Sequence, residues 1–143
     1  MRIRKLLLFI LPVIFLVSCM QGSGKKRQDS AVNDKTTGTS EILFTEYEHD
    51  FGKVKEGTKV RYTFHFTNKG EGDLVIESAT TTCGCTVPHY SKKPIPDGAE
   101  GTLEVVFDTS GKTGIQTKTI TVRSNAKTPV VLLKIKAEVI SDN

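Results

Sequence analysis

The chain has 143 residues, room for one domain of ordinary size with flanking segments. Its formal charge of +4 comes from 20 Lys+Arg against 16 Asp+Glu, but from Glu41 to Asn143 there are 13 bases and 14 acids, a net of −1. The two signs are interspersed there, which excludes the basic stripe of a nucleic-acid binder, so no nucleic-acid partner is expected.

Met1-Arg2-Ile3-Arg4-Lys5 is a charged start, and Leu6 to Val17 is an apolar run broken only by Pro12. The run is short for a membrane span and reads as the core of a signal peptide over 1–18. It ends Leu16-Val17-Ser18-Cys19, which resembles the bacterial lipobox. That resemblance implies a diacylglyceryl thioether on Cys19, with Cys19 the new N-terminus and its amine acylated. Several acyl chains anchor stably where one binds only marginally. Residues 19–40 carry Gly, Ser, Thr, Lys, Gln and Asp and few apolar side chains, a composition that reads as a flexible tether. About twenty residues of coil reach roughly 25 Å. No acidic run follows Cys19, unlike the signal of some surface-exported Bacteroidetes lipoproteins, which favours the periplasmic face.

From Glu41 the pattern becomes short β-prone runs between turn residues. Ile42 to Tyr47 is the first, and Glu48 to Val54 follows, closed by Lys55-Glu56-Gly57. Thr58 to Asn68 alternates, with Val60, Tyr62, Phe64 and Phe66 on one face and Arg61, Thr63, His65 and Thr67 on the other. Asn68 to Asp73 is a turn. Leu74-Val75-Ile76 opens a strand leading through Glu77-Ser78-Ala79 into the cysteine segment. Pro88, Pro94 and Pro96 exclude a central strand between Pro88 and Gly98. Leu103, Val105 and Phe107 face inward on the next strand, and Thr109 to Gly114 is a loop. The apolar phase shifts between Ile115 and Ile120, pointing to a bulge or an edge position. After a turn at Ser124 to Pro129, Val131, Leu133, Ile135, Ala137 and Val139 share the inner face of the last strand. No helical apolar period is sustained. Seven to eight short strands predict an all-β, immunoglobulin-like antiparallel sandwich over 41–143.

His49-Asp50-Phe51-Gly52, Val54, Glu56-Gly57, Phe64 to Asn68 with Gly70, Leu74-Val75-Ile76, Thr82-Cys83-Gly84-Cys85-Thr86, Pro94, Pro96, Gly98 and Ser124-Asn125 occur in an order that resembles the bacterial domain-of-unknown-function 1573 family. The resemblance covers nearly all of 41–140. Asp97 stands where a Pro-Gly turn is usual, and Asp-Gly makes the same turn. Family members are often lipoproteins or exported proteins, common in Bacteroidetes. The resemblance implies a sandwich similar to pilus-chaperone, major-sperm-protein and ASPM-SPD-2-Hydin domains, and it brings no activity with it.

The three cysteines divide into Cys19, claimed by lipid, and the pair Cys83-Gly84-Cys85. On an extended strand the pair shares a face, and three readings stay open. A bridge between the two requires a turn at Gly84, because extended Cα atoms two apart lie near or beyond the ordinary limit of about 7 Å. A soft-metal site for Cu(I) or Zn(II) takes both thiolates with His89 and, for zinc, a fourth ligand such as His49. Burial as two small hydrophobes is the third. His49-Asp50 reads as turn stabilisation, since neighbours on a strand face opposite ways. No nucleophile elbow, HExxH or phosphate loop is present, so no enzyme and no cofactor are expected. The expectation is an envelope lipoprotein, membrane-bound through its N-terminal lipid, acting as a non-catalytic interaction or structural module with a protein partner. The alternative is a thiol-based role, redox exchange or copper binding, through Cys83, Cys85 and His89.

Overall fold

Alternation of apolar and polar side chains, interrupted by turn residues, folds the chain into two layers. A computed structural model describes residues 38–141. The signal-peptide and lipidation readings, Cys19 included, lie outside them. Eight strands occur among the described residues: β1 (Ile42–Phe44), β2 (Glu48–Lys55), β3 (Lys59–Asn68), β4 (Ile76–Thr81), β5 (Thr86–Tyr90), β6 (Glu100–Asp108), β7 (Gly114–Ser124) and β8 (Val130–Ile140). One sheet runs β1-β3-β6-β5 and the other β2-β8-β7-β4. The all-β sandwich expectation is met.

The inner faces are those the alternation predicts. Phe64 and Phe66 of β3, Leu103, Val105 and Phe107 of β6, Ile120 and Val122 of β7, and Leu133, Ile135 and Ala137 of β8 are all at most 1% exposed. Apolar burial of this kind contributes about 25 cal/mol per Å² and is the main term holding the layers together. His65 stands on the exposed outer face, as expected.

Three details differ from the sequence reading. All strand pairs are antiparallel except β2 with β8, which is parallel. The chain crosses from one sheet to the other between β1 and β2, so β2 arrives beside β8 in the same direction. β7 is neither an edge nor bulged against β8; it keeps register from Gly114↔Val139 to Arg123↔Val130. The apolar phase shift arises because Ile115 simply points outward, 72% exposed. The exclusion of a central strand at Pro88 holds: Thr86–Tyr90 is an edge strand, where the missing N–H is tolerated. Finally, ordered packing begins before Glu41. Ser40 is buried, and its hydroxyl donates to the Asn125 carbonyl at 3.1 Å.

One polar side chain fastens the end of the sandwich where the chain enters. Asn68 is fully buried at the end of β3. Its Nδ2 donates to the carbonyls of Gly72 (2.7 Å) and Ile95 (3.0 Å), and its Oδ1 accepts from the N–H groups of Gly70 (3.0 Å) and Glu41 (3.2 Å). Both donors and both lone pairs of the amide are used. Gly70 is required by close approach, because a Cβ there would run into the backbone of Thr39, Ser40 and Glu41. Replacing Asn68 with Ala leaves the Gly72 carbonyl and the Gly70 and Glu41 N–H groups without this partner, while the Ile95 carbonyl keeps Leu74 N–H at 2.9 Å. The cost is about 1–3 kcal/mol for each group that water cannot reach. We expect Asn68→Ala to lower unfolding free energy by at least ~3 kcal/mol. Urea unfolding of the variant checks this, and a loss under ~1 kcal/mol contradicts the clamp.

Candidate functional site: the Cys83–Cys85 turn

β4 ends one edge of its sheet and β5 ends the same side of the other, so the segment between them crosses from layer to layer. Residues 82–85 are a turn, not the extended strand on which two sulfurs share a face. The chain folds back because the Thr81 hydroxyl donates between Cys83 O (2.7 Å) and Thr86 O (2.9 Å). Thr86 N–H donates to Cys83 O at 3.4 Å, and Asp108 N–H, at the end of β6, donates to Cys85 O at 2.9 Å. The turn brings the two Cα atoms to 5.3 Å, and the sulfurs are joined in a disulfide. Of the three readings, the structure takes the bridge, by the turn which that reading required. Cys85 also packs partly against the core, so its burial contributes as well.

Gly84 caps the turn without being demanded by it. Its φ is not left-handed, and a Cβ built on it would meet nothing within 4 Å. The space beside Gly84 is open, and both cysteines are half-buried. Beside the bridge lies a shallow depression of about 300 Å³ lined by Lys59, Gly84, Cys85, Val87, His89, Val106 and Asp108. Val87 and His89 are the exposed residues of β5, opposite Val106 and Glu104 of β6. His89 therefore lines the same depression as Cys85. Among the described residues, no group of three or more His, Cys, Asp or Glu is gathered to hold a metal ion. A soft-metal site would use thiolates that the bridge ties up. Asp108 is held below the ordinary carboxyl value of 3.8, first by the Ser110 hydroxyl and then by the Ser110 N–H. Lys59 stands 3.6 Å from it, so the rim of the depression carries a neutralised pair.

Sequence reasoning passed over Thr86. It is 3% exposed, and its hydroxyl lies 3.8 Å from Cys83 Sγ and 4.0 Å from Cys85 Sγ. The two sulfurs are its only hydrogen-bond partners among the described residues. The one signal available was the threonine flanking Cys85, indistinguishable by type from its neighbours at Thr80, Thr81 and Thr82.

His49, offered as a fourth ligand, sits elsewhere. It lies on β2, separated from β4 by β8 and β7. Its ring stacks on Tyr62 at 3.5 Å and 8°, with Phe51 edge-on at 4.8 Å, and the Tyr62 hydroxyl donates to Glu46. Asp50 serves the irregularity in β2 between Asp50 and Lys53: its Oδ1 accepts from Gly52 N–H at 2.8 Å, and that bond, aided by Lys136, holds its carboxyl below the ordinary range. Gly52, at φ +67°, supplies the left-handed step there. The motif His49 to Gly52 is thus packing and bulge chemistry within a strand, where the sequence pointed to a turn.

The model of a family described as "Protein of unknown function (DUF1573)" matches residues 42–139. The chain belongs to the DUF1573 family. No curated protein matches the sequence. Among solved structures, a protein of unknown function from Porphyromonas gingivalis W83 is similar at TM-score 0.60 and 22% identity over 78% of this chain, which spans only about half (51%) of that protein. The ASH/PapD-like domain 7 of human CEP192 matches at TM-score 0.61 and 8% identity, covering 73% of this chain and 89% of that one. The Vibrio cholerae protease VesB matches at TM-score 0.53 and 13% identity, over 70% of this chain and 32% of its own. At these identities the likeness is one of fold: the DUF1573 domain is an immunoglobulin-like, PapD-like sandwich.

The bridge closes a loop of three residues, for which chain-entropy reasoning gives only about 1.6 kcal/mol, against about 3 for a fifteen-residue loop. The turn is held by hydrogen bonds that do not involve sulfur. We therefore expect the double variant Cys83→Ala, Cys85→Ala to fold and to lose no more than ~2 kcal/mol. Loss of the cooperative urea transition would show that the bridge is structural.

Proposed function

We propose that this DUF1573 protein is a non-catalytic interaction module of the bacterial cell envelope, tethered to a membrane through lipid on Cys19 and facing the periplasm. The anchor reading is supported by the charged start, the apolar run and Leu16-Val17-Ser18-Cys19. The module reading rests on one observation, the regular stretch Ser78 to Thr81 on the edge at β4. Natural edges are blunted by shortness, proline, bulges or charge. β1 has three residues, β5 contains Pro88, and β2 carries Glu48, Asp50, Lys53 and Lys55 with a register shift between Asp50 and Lys53. β4 has six residues, no proline and a single charge, Glu77; its register shift against β7 lies at its start, between Ile76 and Ser78, and pairing is regular from Ser78 to Thr81. The Tyr90 hydroxyl reaches the Glu77 carbonyl at 3.5 Å. An extended partner segment added along Ser78 to Thr81 would gain main-chain hydrogen bonds there.

Two measurements check the two halves. Cys19→Ser is expected to lose the acyl mass from the N-terminus and to leave the membrane fraction; persistence of both contradicts the anchor. A photo-crosslinking residue at exposed Thr80 is expected to capture a discrete envelope protein that the same residue at exposed Thr102, on the other sheet, does not. Identical adducts at the two positions, or none at Thr80, would remove the β4 docking reading.

A further inference from the structure

The bridge between Cys83 and Cys85 is placed where its redox state can change while the fold stays the same. Its turn is held by Thr81 Oγ1, Thr86 N–H and Asp108 N–H, none of which bonds to sulfur. Nothing stands within 4 Å of where a Gly84 Cβ would be, so an incoming group meets open space. Cys85, Val87 and His89 face a common depression, and Val87 is 47% exposed.

Thr86 adds the decisive asymmetry. A buried hydroxyl without a good acceptor is unfavourable, and neutral sulfur is a weak one. A thiolate is an ionised acceptor, and hydrogen bonds to ionised groups are shorter and roughly twice as strong. Oγ1 stands 3.8 and 4.0 Å from the two sulfurs, long contacts to a weak acceptor in the bridge, and a sulfur freed as thiolate would be a stronger acceptor able to close on it. We propose that Cys83–Cys85 is a thiol–disulfide exchange site, poised toward its dithiol form by the Thr86 hydroxyl, whose co-reactant is an external dithiol.

The exchange balances in two steps. A thiolate of the external dithiol attacks Cys85 Sγ, the sulfur lining the depression. A mixed disulfide forms, the Cys83–Cys85 bond breaks, and Cys83 Sγ leaves with the electron pair, accepting the Thr86 hydrogen bond. The second external thiolate then attacks its own partner sulfur in the mixed disulfide, and Cys85 Sγ leaves as thiolate. Of the two protons lost by the external dithiol, Cys85 takes up one and solvent keeps the other, while Cys83 Sγ stays a thiolate accepting from the Thr86 hydroxyl. The bridge is reduced by two electrons and the external dithiol is oxidised to a disulfide. Run backwards, the same steps reoxidise the pair. The role is independent of docking along β4.

The test uses the full chain in detergent micelles, with glutathione buffers and dithiothreitol as probes, acid quenching, alkylation and peptide mass spectrometry. The wild type is expected to exchange in both probes with its far-ultraviolet circular dichroism unchanged. Thr86→Val, close in shape and lacking the hydroxyl, is expected to shift the equilibrium about tenfold toward the disulfide, or about 30 mV for a two-electron couple. Thr86→Ser keeps the hydroxyl and is expected to stay within about threefold of wild type. The trapped glutathione adduct is expected on Cys85. Reduction only upon unfolding, an unshifted Thr86→Val, equal shifts in both Thr86 variants, or an adduct on Cys83 would each overturn the proposal as stated.

Discussion

Four backbone groups from three separate stretches of chain converge on one buried amide, that of Asn68. Glu41 belongs to the segment entering the sandwich, Gly70 and Gly72 to the turn after β3, and Ile95 to the proline-marked loop before β6. The Ile95 carbonyl also accepts from Leu74 N–H at 2.9 Å, but the other three have no second partner among the described residues, and each is expensive to bury alone. A single side chain with two donors and two acceptors answers all four. Asn125 plays a smaller version at the turn before β8: it accepts from Val75 N–H at 2.8 Å and donates to the Asp73 carbonyl at 2.9 Å. Apolar burial drives the two layers together, while these amides decide how the irregular connections are stacked at one end.

That division explains how far the fold was legible. β3, β6 and β8 are half-buried strands, and alternation names their inner residues because each face meets a different solvent. Edge strands give weaker signals. β5 is five residues long with Pro88 in its middle, so by composition it looks like a loop. The parallel pairing of β2 with β8 depends on a sheet crossing between Phe44 and Glu48, a long-range fact that no local pattern encodes. Ile115 misled for a different reason: an apolar side chain on an outer face is common and carries no phase information.

The site was legible in outline only. Two cysteines one residue apart announce themselves, and the need for a turn at Gly84 follows from the length of an extended dipeptide. Whether the chain makes that turn depends on the Thr81 hydroxyl and on Asp108, the latter twenty-three residues further along than Cys85. Thr86 is harder still to find. Its hydroxyl is sealed against two sulfurs, that hydroxyl's only partners among the described residues, a property of burial and geometry rather than of residue type. His49 shows the converse. A histidine beside an aspartate looks chemical, yet in three dimensions it is one plate in a stack of aromatic rings.

The chain enters near Ser40, against Asn125 and the end of β3, whereas the cysteine turn lies beside Phe107 and Asp108 at the far end of β6. Nine residues of β3 separate the two levels, about 30 Å of strand. Tension applied between them would act along the strands, across ladders whose hydrogen bonds run perpendicular to it. The rungs would then be loaded together, in shear, instead of opening one after another like a zip. The domain is built as a strut.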